Sequence, residues 1–223
     1  MGVLGPVWAI ARKDVLLELR NRDIVVSIVV FSMLVLIIFN FAVELTPVNI
    51  AVVGPGILWV AIAFAGVIGL NRAFVLEKDR EALDGLMLSP VSRDGLFLGK
   101  ALGSFLFMLV AEAVLLPVFA AIFDVDIMRL EAGVVAGLTT LGFAAAGTLF
   151  AAMAVNTRSR EVMLPVLFLP VISPLLIAAV EATAAIASGG GWSGVSRWMQ
   201  IIGVFDVVFI AGGALLFHYV LED

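Results

Sequence analysis

The chain has 223 residues, of which 63% are hydrophobic and only 14% charged. Its mean hydropathy is +1.19, far above that of soluble domains, which are roughly half apolar and a quarter charged; this is an integral membrane protein. Thirteen Lys and Arg against 18 Asp and Glu give a net charge of −5 with no basic face for a nucleic acid, zero cysteines exclude disulfides and thiolate metal sites, and the single His218 leaves no cluster for zinc or iron.

The first element runs from Val7 to Arg22. Trp8, Ala11, Val15 and Leu19 share one helical stripe, Lys13, Asp14, Glu18 and Arg20 lie mostly around the other side, and Arg12 and Arg22 intrude on the stripe. This predicts an interfacial helix over residues 7–22 on the cytoplasmic surface; a charged tail that only sets orientation is the alternative.

A spanning helix needs about 20 mostly apolar residues. Six such windows follow, at 24–43, 56–76, 101–123, 132–155, 162–180 and 201–221, joined by short loops. The predicted fold is an all-α integral membrane protein, one transmembrane domain over residues 1–223. The apolar runs are continuous, without the two-residue alternation of a barrel strand. The first run is no cleavable signal, because Phe41-Ala42-Val43-Glu44-Leu45 follows it without a small-x-small site.

Between the second and third windows lies the most charged stretch, Asn71 to Lys100. A helix is expected to continue through Asp84, with Lys78 spaced to Glu81 and Arg80 to Asp84 for mutual support, and Gly85 able to end it. Ser92 and Asp94 then suit the N-cap and first turn of the next helix. Apolar residues interleaved with both charge signs suit docking of a soluble protein; a solvated helical hairpin fits equally well.

Three polar residues fall inside windows: Asn40, Glu112 and Asp206. A charged carboxylate at the bilayer centre costs about 2.5–3.5 kcal/mol, so Glu112 is expected to face the bundle interior, be carried as the neutral acid, or both. Asp206 is read as interfacial. Pro165, Pro170 and Pro174 predict a bent or broken fifth span. Gly99, Gly103, Gly133, Gly137, Gly142, Gly147 and the run Ala144 to Ala146 should let spans three and four approach neighbours closely, a second copy of the chain included. Gly189, Gly190, Gly191 and Gly194 predict a flexible loop before span six. Trp8, Trp59, Trp192 and Trp198 all fall near span ends and read as an interfacial belt.

Lys and Arg set the orientation. With the N-terminus inside, Arg12, Lys13, Arg20, Arg22, Arg72, Lys78, Arg80, Arg93, Lys100, Arg158 and Arg160 are cytoplasmic, leaving only Arg129 and Arg197 outside; both termini are then cytoplasmic. No Gly-x-x-x-x-Gly-Lys-Ser/Thr loop occurs, so nucleotide energy would have to come from another chain.

The stretch Gly54-Pro55-Gly56-Ile57-Leu58-Trp59-Val60-Ala61, with Gly69-Leu70-Asn71-Arg72-Ala73-Phe74, Glu77, Leu83-Asp84-Gly85-Leu86, Gly99-Lys100 and the N-terminal Ala11-Arg12-Lys13-Asp14, resembles the CcmB family, haem exporter protein B. The likeness extends to chain length and span count. Proteobacterial relatives carry Phe-x-x-Asp-x-x-Asp-Gly-Ser-Leu in the loop; here Glu77 keeps the first carboxylate, while Arg80-Glu81-Ala82 replaces Asp-Gly-Ser.

The resemblance implies a permease subunit of type-2 ABC exporter architecture acting in cytochrome c biogenesis at the cell inner membrane. It is not itself an enzyme. ATP would be hydrolysed by a separate subunit, CcmA, which docks on a loop holding Arg72, Phe74, Glu77, Lys78, Arg80, Leu83 and Asp84. CcmC, CcmD and the haem chaperone CcmE are the other implied partners, with haem as the possible substrate and two copies of the chain in the complex. This chain itself is expected to bind no metal or cofactor. A type-2 exporter of lipid, drug or polysaccharide shares the same periodicity. A proton-coupled transporter built on Glu112 is a third reading, disfavoured because the sequence holds no inverted repeat and no second titratable residue is expected at midplane depth.

Overall fold

Hydrocarbon offers backbone amides no partner, so long apolar runs close their hydrogen bonds within helices. The computed structural model describes residues 4–20, 22–43, 47–79, 91–155 and 160–220. Among them are seven helices and no strand: α1 Leu4–Arg20, α2 Arg22–Ala42, α3 Pro47–Asp79, α4 Arg93–Phe123, α5 Leu130–Val155, α6 Arg160–Ala187 and α7 Gly191–Val220. Helices α2 to α7 are each long and apolar enough to cross a membrane.

Several helices outrun their apolar windows because local chemistry, not hydropathy, ends them. Helix α4 begins at Arg93, where the Ser92 side chain caps it by accepting from the Gly95 amide at 3.2 Å and Asp94 occupies the first turn. Its far end closes at Asp124, in the left-handed region with φ 51°, whose position lets Val125 N donate to the Ala120 carbonyl at 3.3 Å. In the loop beyond, Asp126 binds Arg129 at 2.6 Å and drives its guanidinium further toward the protonated form by hydrogen bond and charge.

The glycine stretch is not the flexible loop expected. Gly190 N donates to Ala185 O at 2.8 Å and Gly189 N to Ile186 O at 2.9 Å, a Schellman turn with Gly189 at φ 82°. Helix α7 then starts at once at Gly191. Glycine is needed here for its positive φ, so it tightens the connection rather than loosening it.

Of the two outcomes expected for α6, bent or broken, the break does not occur: the helix runs on through Pro165, Pro170 and Pro174. Pro174 has no amide to give the Pro170 carbonyl, and the Ser173 hydroxyl donates to that carbonyl instead, at 2.8 Å.

Helix α5 is the axis of the bundle, packed against α3, α4, α6 and α7. Its Gly142 and Gly147 and the run Ala144 to Ala146 are filled from within the chain. A side chain at Gly147 would run into Leu70 of α3 and Phe168 of α6, and one at Gly142 into Asp206 of α7. Phe143 and Phe168 meet edge to face at 4.9 Å. Helix α2, by contrast, exposes Val26, Val30, Leu34, Ile38 and Phe41.

Helix α1 packs chiefly on α4. Val7, Ile10, Ala11 and Glu18 are buried, so a second face of the helix packs on the protein: Trp8 is 58% exposed, and Asp14 and Glu18 turn toward the bundle. The reason is a partner invisible to local periodicity. Gly99 and Gly103 form a flat seat on α4, where a Cβ at Gly99 would lie 2.8 Å from Ile10 Cβ and 3.2 Å from the Val7 carbonyl, and one at Gly103 would lie 3.5 Å from Ala11 Cα. These glycines therefore serve α1 and not a second copy of the chain. Of the small residues expected to meet neighbours, Gly133 and Gly137 face open space, with no described atom within 4 Å of where a Cβ would stand.

The seat predicts its own test. A cysteine pair at Ala11 and Gly103 should cross-link readily in this cysteine-free chain, and adding Gly99→Leu should suppress the cross-link, since overpacking against a backbone carbonyl costs about 1–3 kcal/mol. Gel mobility under oxidising conditions reads the outcome; an undiminished cross-link in Gly99→Leu would dismiss the seat.

Candidate functional site

Polar atoms inside a bundle of apolar helices must find partners across helix seams or remain unsatisfied at a cost. Four seams carry them here. At the first, Thr140 of α5 donates its hydroxyl to Oε1 of Glu112 on α4. Glu112 is 2% exposed, and its Oε2 has no partner among the described residues. The acid faces the bundle interior as expected. Beside it, Ile28 of α2, Ile62 and Gly66 of α3 and Phe107 of α4 enclose a cavity of about 10 Å³. That is room for about one water, far below the several hundred Å³ of a ligand chamber. Glu112 therefore borders a small gap lined by apolar side chains.

Asp206 forms the second seam and corrects the sequence reading. It is 5% exposed and lies 15 residues into α7, about 22 Å along the axis, because that helix begins at Gly191 and not near residue 201. Its carboxyl faces Gly142 of α5, and neither oxygen has a hydrogen-bond partner among the described residues. Only glycine leaves space for the carboxyl there. Thr140 and Gly142 point about 160° apart around α5 at 100° per residue, so the two acids grip the central helix from nearly opposite sides at one level. A second titratable residue at the depth of Glu112 thus exists, contrary to expectation.

At the third seam the indole of Trp59 donates to Thr183 Oγ1 at 3.0 Å, and the Thr183 hydroxyl donates onward to the Ala179 carbonyl at 2.8 Å. Trp59 is buried and not a belt residue; it clamps α3 to α6, whereas Trp8 and Trp192 remain exposed. Most of the Gly54 to Trp59 motif serves this packing, Gly56 excepted. A Cβ at Gly54 would sit 3.1 Å from the Phe119 ring of α4, and Ile57 and Leu58 are buried. Asn40 makes the fourth seam, its amide donating to the Ile122 carbonyl at 3.4 Å in the last turn of α4, where carbonyls lack helical partners.

A fifth polar contact lies at the α1 seat. Lys100 is 3% exposed with its Nζ 3.8 Å from Asp14, which also meets Lys13 at 2.9 Å. The sequence places Lys100 on a cytoplasmic surface as an orientation signal; the structure sinks it between α1 and α4. A lysine flanked by glycines at positions 99 and 103 is the available sign, since glycines clear space for a neighbour that can bring a counter-charge.

Of the expected docking segment, Arg72, Phe74, Glu77 and Lys78 continue α3 as helix, their side chains lying outside the described residues. Arg80, Leu83 and Asp84 lie outside the described residues altogether, and His218 falls in the last turns of α7 with its side chain likewise outside them.

A bundle of six helices long and apolar enough to span, knit by interhelical polar seams, defines the class of polytopic α-helical membrane proteins. The chain belongs to the CcmB family, whose model, described as CcmB protein, matches residues 6–218. Relatives named Heme exporter protein B include one from Bradyrhizobium diazoefficiens, 28% identical over 81% of this chain and 82% of its own. Another from Escherichia coli K12 is 27% identical over 94% of this chain and 92% of its own, and one from Paracoccus denitrificans is 31% identical over 61% and 63%.

The Trp59 clamp yields a measurable coupling. Trp59→Phe and Thr183→Val should each destabilise the bundle, and their double-mutant cycle should show a coupling of about 0.6–1.7 kcal/mol in detergent unfolding. Strict additivity of the two losses would mean that the bond contributes nothing.

Proposed function

We propose that the chain is the transmembrane permease subunit of an ABC-type haem exporter system acting in cytochrome c biogenesis. The observation that carries this reading is the family match over residues 6–218, joined to six helices long enough to span a membrane. The chain is a non-catalytic subunit at the cell inner membrane. ATP hydrolysis belongs to a separate ATPase subunit, CcmA, and the resemblance adds CcmC, CcmD and the haem chaperone CcmE as partners. Haem enters as cargo or is released with its chaperone.

The physical support is mechanical. Helix α3 runs on to Asp79, past the end of its apolar window at Leu70, and so carries Arg72, Phe74, Glu77 and Lys78 out of the membrane on a continuous rod. A push on that rod reaches Trp59 and its clamp on α6 without crossing a loop. With eleven of the thirteen basic residues assigned to one side, this end and both termini are cytoplasmic. Six spans are half of a two-half transporter, so the working complex holds two copies, related by a symmetric interface.

Glu77→Lys with Arg80→Glu should weaken co-purification of the ATPase subunit while leaving membrane insertion of this chain unchanged, because opposed like charges at an interface cost several kcal/mol. Wild-type recovery of the ATPase with that double variant would remove the segment from the interface.

Asp206 at the level of Glu112 favours a second reading, in which protons move with the cargo. Under the ABC reading, Glu112→Gln with Asp206→Asn supports wild-type cytochrome c maturation at equal complex yield. Loss of maturation at full yield would favour the proton-coupled cycle.

A further inference from the structure

Helix α1 contains three basic residues, Arg12, Lys13 and Arg20, and two acids, Asp14 and Glu18. Displayed on one surface they would nearly cancel. The structure separates them. Asp14 pairs with Lys13 at 2.9 Å and faces Lys100 at 3.8 Å, and Glu18 is 9% exposed, both acids on the side packed against α4. The opposite side carries Trp8, Arg12, Leu16 and Arg20, four exposed residues spaced every fourth position, with exposed Leu17 at the flank and Lys13 at the edge. No acid lies on it.

Two anchors fix the level of this face. The apolar window of α2 opens at Val25, immediately beyond the end of α1 at Arg20. The seat of α1 is Gly99 to Gly103, in the first turns of α4. Helix α1 therefore lies at one end of the bundle, where the hydrocarbon begins, and presents an indole, two leucines and two guanidiniums outward. Guanidiniums bind phosphate oxygens in a bidentate fork, and Trp and Leu insert at the boundary of headgroup and acyl chain.

We propose that this outward face of α1 is a binding surface for anionic phospholipid headgroups, and that the inward burial of Asp14 and Glu18 gives the face its sign. The Asp14–Lys100 contact then does two things at once: it seats the helix and withdraws negative charge from the lipid side. Basic residues near an anionic bilayer each add about fivefold to the binding equilibrium, and the effect weakens with salt.

The chain has no cysteine, so Leu16→Cys gives a single labelling site for a polarity-sensitive fluorophore on the full-length protein. Reconstituted in vesicles of phosphatidylcholine with phosphatidylglycerol, the label should be shielded from an aqueous quencher. In phosphatidylcholine alone, or at high salt, the shielded fraction should fall. Arg12→Gln and Arg20→Gln should each reduce the dependence on phosphatidylglycerol about fivefold, while Arg12→Lys keeps most of it. The cross-link between cysteines at Ala11 and Gly103 distinguishes loss of lipid binding from undocking of α1. Equal shielding in both vesicle types would overturn the proposal. So would shielding that appears only when the ATPase subunit is added, whatever the lipid, since the face would then be a protein interface. The comparison of the two vesicle compositions with the arginines intact decides the matter even where a variant fails to insert.

Discussion

In hydrocarbon one apolar helix gains nothing by leaving lipid for another, so a bundle of this kind is held by close approach and by polar bonds that lipid cannot supply. Helix α5 is where both conditions are met. Its Gly142 and Gly147 admit Asp206 and Leu70 to the backbone, Ala144 to Ala146 are fully buried, and Thr140 binds Glu112. Helices α3, α4, α6 and α7 all lean on it. The remaining seams, Trp59 to Thr183 and Asn40 to the end of α4, fix how these neighbours meet one another.

This arrangement divides the molecule by role. The centre is a tight polar and small-residue packing with a gap of only about 10 Å³ beside Glu112. The end that carries α1, the Ser92 cap and the extension of α3 holds most of the charge. Force applied there has two rigid routes inward, through α3 to the Trp59 clamp and through the α1 seat into α4, the helix that bears Glu112.

The existence and number of spans are legible in the sequence, because unbroken apolar length is a one-dimensional property. The Gly54 to Trp59 motif and Gly99-Lys100 point to the family for the same reason. What is not legible depends on partners far along the chain. Trp59 near a predicted span end reads as interfacial, since nothing local announces Thr183, 124 positions away. Asp206 reads as too shallow because glycine-rich sequence suggests a loop, whereas Gly189 at positive φ closes a turn and lets α7 start ten residues earlier than residue 201. The burying face of α1 is hidden because Asp14 and Glu18 look solvent-seeking until α4 is packed on them and Lys100 is brought to Asp14. In α6, three prolines suggest a bend or a break, and a serine hydroxyl supplies a bond that one of them removes.

The central claim is that this chain serves haem delivery for cytochrome c maturation through an ATPase subunit. Its most direct test is the level of holo-cytochrome c in cells lacking this chain alone. The account predicts that mature cytochromes c are lost and return when the chain is resupplied together with an ATPase subunit able to hydrolyse ATP, but not with one unable to. Normal holo-cytochrome c in the deletion strain, or full recovery with the inactive ATPase, would contradict it.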